Sequence, residues 1–213
     1  MSTTPDPDPP RRSDGERTHA AILDAAMAIA SVEGLGSLTI GRLARELDIS
    51  KSGVFAHFRS KQRLQQETVA AAGEVFEREV LAPGMQAPAG LGRVEGLCEA
   101  YLSYVDRGVF PGGCFFAQLI AEFDATDGPL HEAAAEGQSD WAGLLQTEIE
   151  TAQSQGEIDA EVDADQLAFE LDALLEMANF LATLHRDLSI TERARTAISE
   201  RLASAAVSVQ ELG

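Results

Sequence analysis

Side chains able to do chemistry gather most densely in residues 38–64, LTIGRLARELDISKSGVFAHFRSKQRL. Residues 40–63 hold 6 basic residues against 2 acidic ones, in a chain whose formal net charge is −19. The chain's two lysines, Lys51 and Lys61, both lie there, with Arg42, Arg45, Arg59 and Arg63. Ammonium and guanidinium groups at this density bind phosphate, and a lysine also donates to the major-groove acceptors of guanine. Thr39, Ser50 and Ser60 each precede a helical pattern, where a hydroxyl caps the helix and the free N–H groups of the first turn favour phosphate. The expected chemistry is recognition of double-stranded DNA. Lys51, Ser52, Gly53, Phe55 and His57 fall on one outer face; Ser52 and Gly53 are small enough for close approach to base edges. Thr39, Arg42, His57 and Lys61 are placed to bond phosphates.

Other chemistries lack their residues. One Glu-x-x-His occurs, at Glu16 and His19, but a di-iron bundle needs two. The histidines at 19, 57, 131 and 185 have no zinc spacing, and no cysteine pair accompanies them. There is no glycine-rich phosphate loop and no nucleophile elbow. No catalytic residue, metal or cofactor is therefore expected. Cys98 and Cys114 read as buried, reduced packing residues, since no neighbour in sequence marks a lowered thiol pKa. No apolar run opens the chain and none approaches a membrane span, so a cytoplasmic protein is expected.

The elements that position the basic cluster follow from periodicity and caps. Residues 1–14, rich in Pro and Asp, read as a disordered tail, with Arg11 and Arg12 as an arm before the first helix. The first helix spans about 16–33, with Gly34 suited to end it. A second covers 40–47, Asp48-Ile49 makes a turn, and a third covers 51–58. Leu43, Leu47, Ile49, Val54 and Phe58, with Ile22 and Ile29, are spaced to form a small core that holds the third helix across the second. That is a helix-turn-helix, whose outer face enters a major groove. A fourth helix follows from Lys61 to about 81, then helices of about 91–107, 113–124, 129–155, 164–186 and 190–210. The sum is nine helices with no convincing strand: an all-α protein with a tail (1–14), a three-helix DNA-binding domain (15–62) and a helical body (63–213). Charge divides the same way. Residues 1–63 carry 9 basic and 8 acidic residues, and the rest 7 and 27.

On these residues the chain resembles the TetR/AcrR family of bacterial transcriptional regulators, ISKSGVFAHFRSK being the most specific run. Two positions depart from the family pattern. Asp48 stands where the turn often has glycine, and Phe55 where a tyrosine often contacts phosphate. Phe55 lacks the hydroxyl, so packing or contact with a thymine methyl is expected instead.

The resemblance implies a C-terminal domain that binds a small molecule and dimerises. Leu171, Leu174 and Ala178, then Ile198, Leu202 and Ala205, follow helical spacing on the last two helices and are expected at a four-helix homodimer interface. A dimer would place two reading helices about 34 Å apart on a near-palindromic operator. Tyr101, Tyr104, Phe116, Phe123, Trp141, Met177 and Phe180 are the aromatic and sulfur side chains available to line a mainly apolar cavity. Glu122, Asp172 and Glu176 nearby keep a cationic ligand open. The function expected is a ligand-responsive repressor, released from its operator by a small, mainly apolar molecule. An activator of the same fold, and a helical binding protein or enzyme without a DNA role, are the alternatives.

Overall fold

The computed structural model describes residues 14–207. The expected tail, with Arg11 and Arg12, and the end of the last predicted helix lie outside the described residues, except that Asp14 opens α1. Among the described residues, nine helices of seven residues or more follow one another: α1 (Asp14–Glu33), α2 (Ile40–Glu46), α3 (Lys51–Phe58), α4 (Lys61–Phe76), α5 (Leu91–Asp106), α6 (Phe115–Phe123), α7 (Pro129–Ser154), α8 (Ala164–His185) and α9 (Ser189–Ala205). Among the described residues there is no strand, only an isolated antiparallel bridge between Ile158 and Ala206.

Local chemistry sets the boundaries. The side chains of Thr39, Ser50, Ser60 and Asp163 accept from the N–H three residues on, at 3.0–3.1 Å, satisfying donors that would otherwise be free. Gly34, at φ 82°, ends α1 with a conformation that a side chain would oppose. Past Phe76, α4 continues through a π-helical turn, Glu77–Leu81, and a short α turn, Ala82–Gly84.

Helices α1–α3 close over Ile22, Ile29, Leu43, Val54 and Phe58, all buried. Leu47 and Ile49 are only half-buried at the edge of this core. In the body, α5 is the central helix, packing on α7, α8 and α9, with Leu97, Tyr101 and Tyr104 buried.

The body corrects two expectations. The residues expected at the dimer interface point inward: Leu171, Ala178, Ile198, Leu202 and Ala205 are buried within the protomer, and Leu174 is half-buried. They join α8 to α9 and both to α5. Helix α8 has a second apolar face, and that one is exposed: Phe169 by 68%, Met177 by 55%, Phe180 by 41% and Leu184 by 73%. Met177 and Phe180 thus face outward and not into a cavity.

Candidate nucleic-acid interface and cavity

The two short helices α2 and α3 meet through a tight turn. Asp48 takes a left-handed conformation, φ 53°, and the Ile49 N–H donates to the Ala44 carbonyl at 3.0 Å. The aspartate thus does what glycine does more easily at such a turn. With Val54 and Phe58 buried, the opposite face of α3 is left outside. Lys51, Ser52 and Phe55 are exposed on it, and Gly53 and His57 are half-buried. The Lys51 side chain lies beside Gly41 at the start of α2, so the beginnings of the two helices are adjacent.

The expected phosphate contacts differ in how free they are. Arg42 is held by Glu46 at 2.5 Å and Glu33 at 3.1 Å, and these two carboxylates raise its pKa further. The Lys61 ammonium donates to the Gly36 carbonyl at 2.5 Å. Thr39 is exposed and its hydroxyl oxygen caps α2. His57 lies 5.6 Å from the His19 ring, which stacks on Phe58 and pairs with Glu67 at 3.0 Å. Phe55 is 53% exposed, so its ring is not packed into the core. No metal-binding group of three or more His, Cys, Asp or Glu occurs among the described residues, and no helix there is long and apolar enough to cross a membrane.

A cavity of about 270 Å³ opens in the body between α4, α5, α6, α7 and α8. Of the residues expected to line it, Tyr101, Phe116 and Trp141 do so. Tyr104 is buried behind it, and its ring touches Tyr101 and Phe76. Phe123 is half-buried at the end of α6, away from the lining. The sequence reading missed Phe76, whose ring meets those of Tyr101, Phe116 and Trp141 edge-on at 5.6–6.4 Å. It also missed Gly73 and Gly137, which lie within helices and border the open space. A glycine inside a helix costs about 1 kcal/mol relative to alanine, and that was the signal available.

Two carboxylates reach this cavity one turn apart on α8. Asp172 accepts from Trp141 Nε1 at 2.8 Å and from Gln138 at 2.6 Å; burial still raises its pKa. Glu176 accepts from the Tyr101 hydroxyl at 3.0 Å, and burial pushes its pKa up to about 7.

Glu122 was expected near these carboxylates and is elsewhere. It leaves the C-terminal turn of α6 and accepts from the backbone N–H groups of Leu35 (2.6 Å) and Gly36 (2.7 Å), in the turn between α1 and α2. From α4, Lys61 and Gln65 bond the carbonyls of Gly36 and Leu35. The turn that leads into α2 and α3 is therefore gripped from both sides. Just ahead of α6, the Gly112 N–H donates to Ser31 Oγ at 3.2 Å, and a Cβ there would lie 1.8 Å from the Ser31 carbonyl oxygen. The same α6 presents Phe116 and Ile120 to the cavity. Cys98 and Cys114 are buried thiols whose pKa values burial pushes up to about 12 and about 11, the opposite of a redox-sensing thiol.

Two family models match the chain, one in its N-terminal part and one in its C-terminal part. The model described as bacterial regulatory proteins, tetR family, matches residues 22–68, and that of the tetracyclin repressor-like C-terminal domain matches residues 90–198. Among solved structures, a TetR transcriptional regulator from Chloroflexus aurantiacus J-10-FL is 25% identical, with TM-score 0.83 over 90% of this chain and 97% of that one. A TetR-family regulator from Cytophaga hutchinsonii is 20% identical, with TM-score 0.79 over 93% and 100%. A transcriptional regulator from Saccharomonospora viridis, solved in complex with choline, is 20% identical, with TM-score 0.74 over 91% and 99%. No curated protein matches the chain.

Proposed function

Since the chain belongs to the tetR family of bacterial regulatory proteins, which are DNA-binding transcription factors and not enzymes, we propose that it is a homodimeric repressor released from its operator by a small molecule in the body cavity. The observation that carries this reading is the double engagement of α6. One side of it lines the cavity through Phe116 and Ile120, and its last turn holds the α1–α2 turn through Glu122. A ligand that displaces α6 must disturb the anchor of the reading helices.

The reading face is Lys51, Ser52, Gly53 and Phe55, with Thr39, His57 and Lys61 beside it for phosphates. Arg42 joins them by exchanging its carboxylate partners for a phosphate. The exposed face of α8, Phe169, Met177, Phe180 and Leu184, supports pairing with a second copy, because four large apolar side chains in one helical stripe are costly to leave in water. The acidic body keeps nonspecific DNA at a distance while the basic tip attracts it, which orients docking. The ligand acts only through the difference in its affinity for the DNA-bound and released forms. The choline held by the Saccharomonospora viridis regulator supports a small-molecule effector on this fold.

The test is fluorescence anisotropy on labelled DNA from the promoter region of the protein's own gene, across a salt series. Binding that weakens steeply with salt is the expected result. No salt-dependent binding to that DNA by the dimer would refute the proposal.

A further inference from the structure

The cavity's lining is unbalanced in charge. Asp172 and Glu176 both face it, Asp140 stands at its edge, and no lysine, arginine or histidine lines it. The hydrogen-bond donors that meet Asp172 and Glu176, from Trp141, Gln138 and Tyr101, are all neutral. They orient the oxygens and supply no counter-charge. Buried carboxylates are normally paired with a cation or held neutral. The remaining walls are aromatic. Phe76, Tyr101, Phe116 and Trp141 meet at ring-centroid distances of 5.6–6.4 Å where they pair, most of them edge to face. Aromatic faces attract cations through the ring quadrupole, most strongly where water is excluded.

Resting on the regulator reading above, we infer that the cavity takes a small organic cation. Its ammonium would lie against Glu176 and Asp172, and its alkyl or aryl groups against Phe76, Tyr101, Phe116 and Trp141. A cavity of about 270 Å³ is at the small end of ligand pockets, so the occupant is compact. A neutral apolar molecule would fill the same space and leave the acidic side uncompensated. The open space beside Gly73 and Gly137 is where the body of the cation extends.

Binding should also be linked to protons. Glu176 interacts with Tyr101 from α5, Cys114 at the head of α6 and Asp172 on its own helix; Asp140 from α7 lines the same cavity, and none of these supplies a positive charge. With its pKa near 7, Glu176 is partly protonated at neutral pH and ionises when a cation arrives. Affinity should then rise with pH through this range and level off above about pH 8. Below about pH 7 it should fall by up to about tenfold per unit.

Trp141 is the chain's only tryptophan and lines the cavity, so its fluorescence reports occupancy without DNA. The probes are phenyltrimethylammonium and its neutral isostere tert-butylbenzene, titrated into the full-length protein at pH 6, 7 and 8. The expected result is a preference for the cation of about tenfold or more at pH 8, shrinking at pH 6. Glu176→Gln, which keeps an acceptor for Tyr101, should abolish the pH dependence and most of the preference, with the helical circular dichroism signal retained. If Glu176→Gln fails to fold, the pH series on the unaltered protein decides alone. Equal or tighter binding of tert-butylbenzene, or no preference because neither probe saturates, would overturn the inference. The regulator reading fails separately, on anisotropy with promoter DNA. Cation binding without any DNA binding sinks that reading alone, and DNA binding without cation preference sinks only this one.

Discussion

Replacing Glu122 by glutamine tests the anchor that joins sensing to reading. The carboxylate accepts from two backbone N–H groups, Leu35 at 2.6 Å and Gly36 at 2.7 Å. Glutamine keeps one carbonyl oxygen and turns an amide NH₂ toward the second N–H. One charge-assisted bond is lost and the other becomes neutral. Bonds to charged groups contribute about 1.5–3 kcal/mol each and neutral ones about 1, and water reaches this half-buried site, so a net loss of about 2 kcal/mol is expected. For a protein of this length that lowers the melting temperature by about 4–8 °C. Circular dichroism melts measure the loss, and hydrogen exchange reports its place: the Leu35 and Gly36 amides should lose protection while amides within α8 keep theirs. Operator affinity should fall as well, since the turn leading into α2 is less fixed. If melting temperature and exchange at Leu35 and Gly36 are unchanged, Glu122 is not the anchor. If both change and operator affinity does not, the anchor is real but does not set the reading helices.

Three further outcomes are expected. Lys51→Ala should weaken binding to the specific site more than to random DNA, whereas Lys61→Ala should weaken both and lower the salt slope by about one, measured by anisotropy against salt. Gly73→Ala should raise the melting temperature, because a helix gains about 1 kcal/mol and a Cβ there meets nothing within 4 Å; a lower melting temperature would show that the site is not open. Met177→Glu combined with Leu184→Glu should convert a dimer to a folded monomer by sedimentation velocity, while Leu171→Glu should unfold the body, because Leu171 is buried within one protomer.

The short-range features of the fold were legible in the sequence because their causes are short-range. Thr39, Ser50, Ser60 and Asp163 cap helices with their own side chains, and Gly34 and Asp48 take left-handed conformations where the chain turns. Periodicity was less decisive on α8. Leu171 and Ala178 mark one apolar face and Met177 and Leu184 another, and spacing alone does not say which meets the core. Phe180 fell on the wrong side of the same ambiguity. The aromatic residues of α5, α6 and α7 were recognisable as a set, but Phe76 belongs to α4 and joins them only through tertiary packing. Glu122 reaches a backbone 86 residues away, and no local pattern announces that contact.

Gly112 has a consequence for how such proteins can be recombined. Its missing side chain lets one backbone segment touch another, Ser31 against the lead-in to α6, with no space for even a methyl group. A chimaera that sets this reading head on another regulator's sensing body would need a glycine at that position, or a different approach of α1. The two parts are thus not interchangeable cassettes. They carry a keyed fit, and the key is a single hydrogen atom where every other amino acid has a carbon.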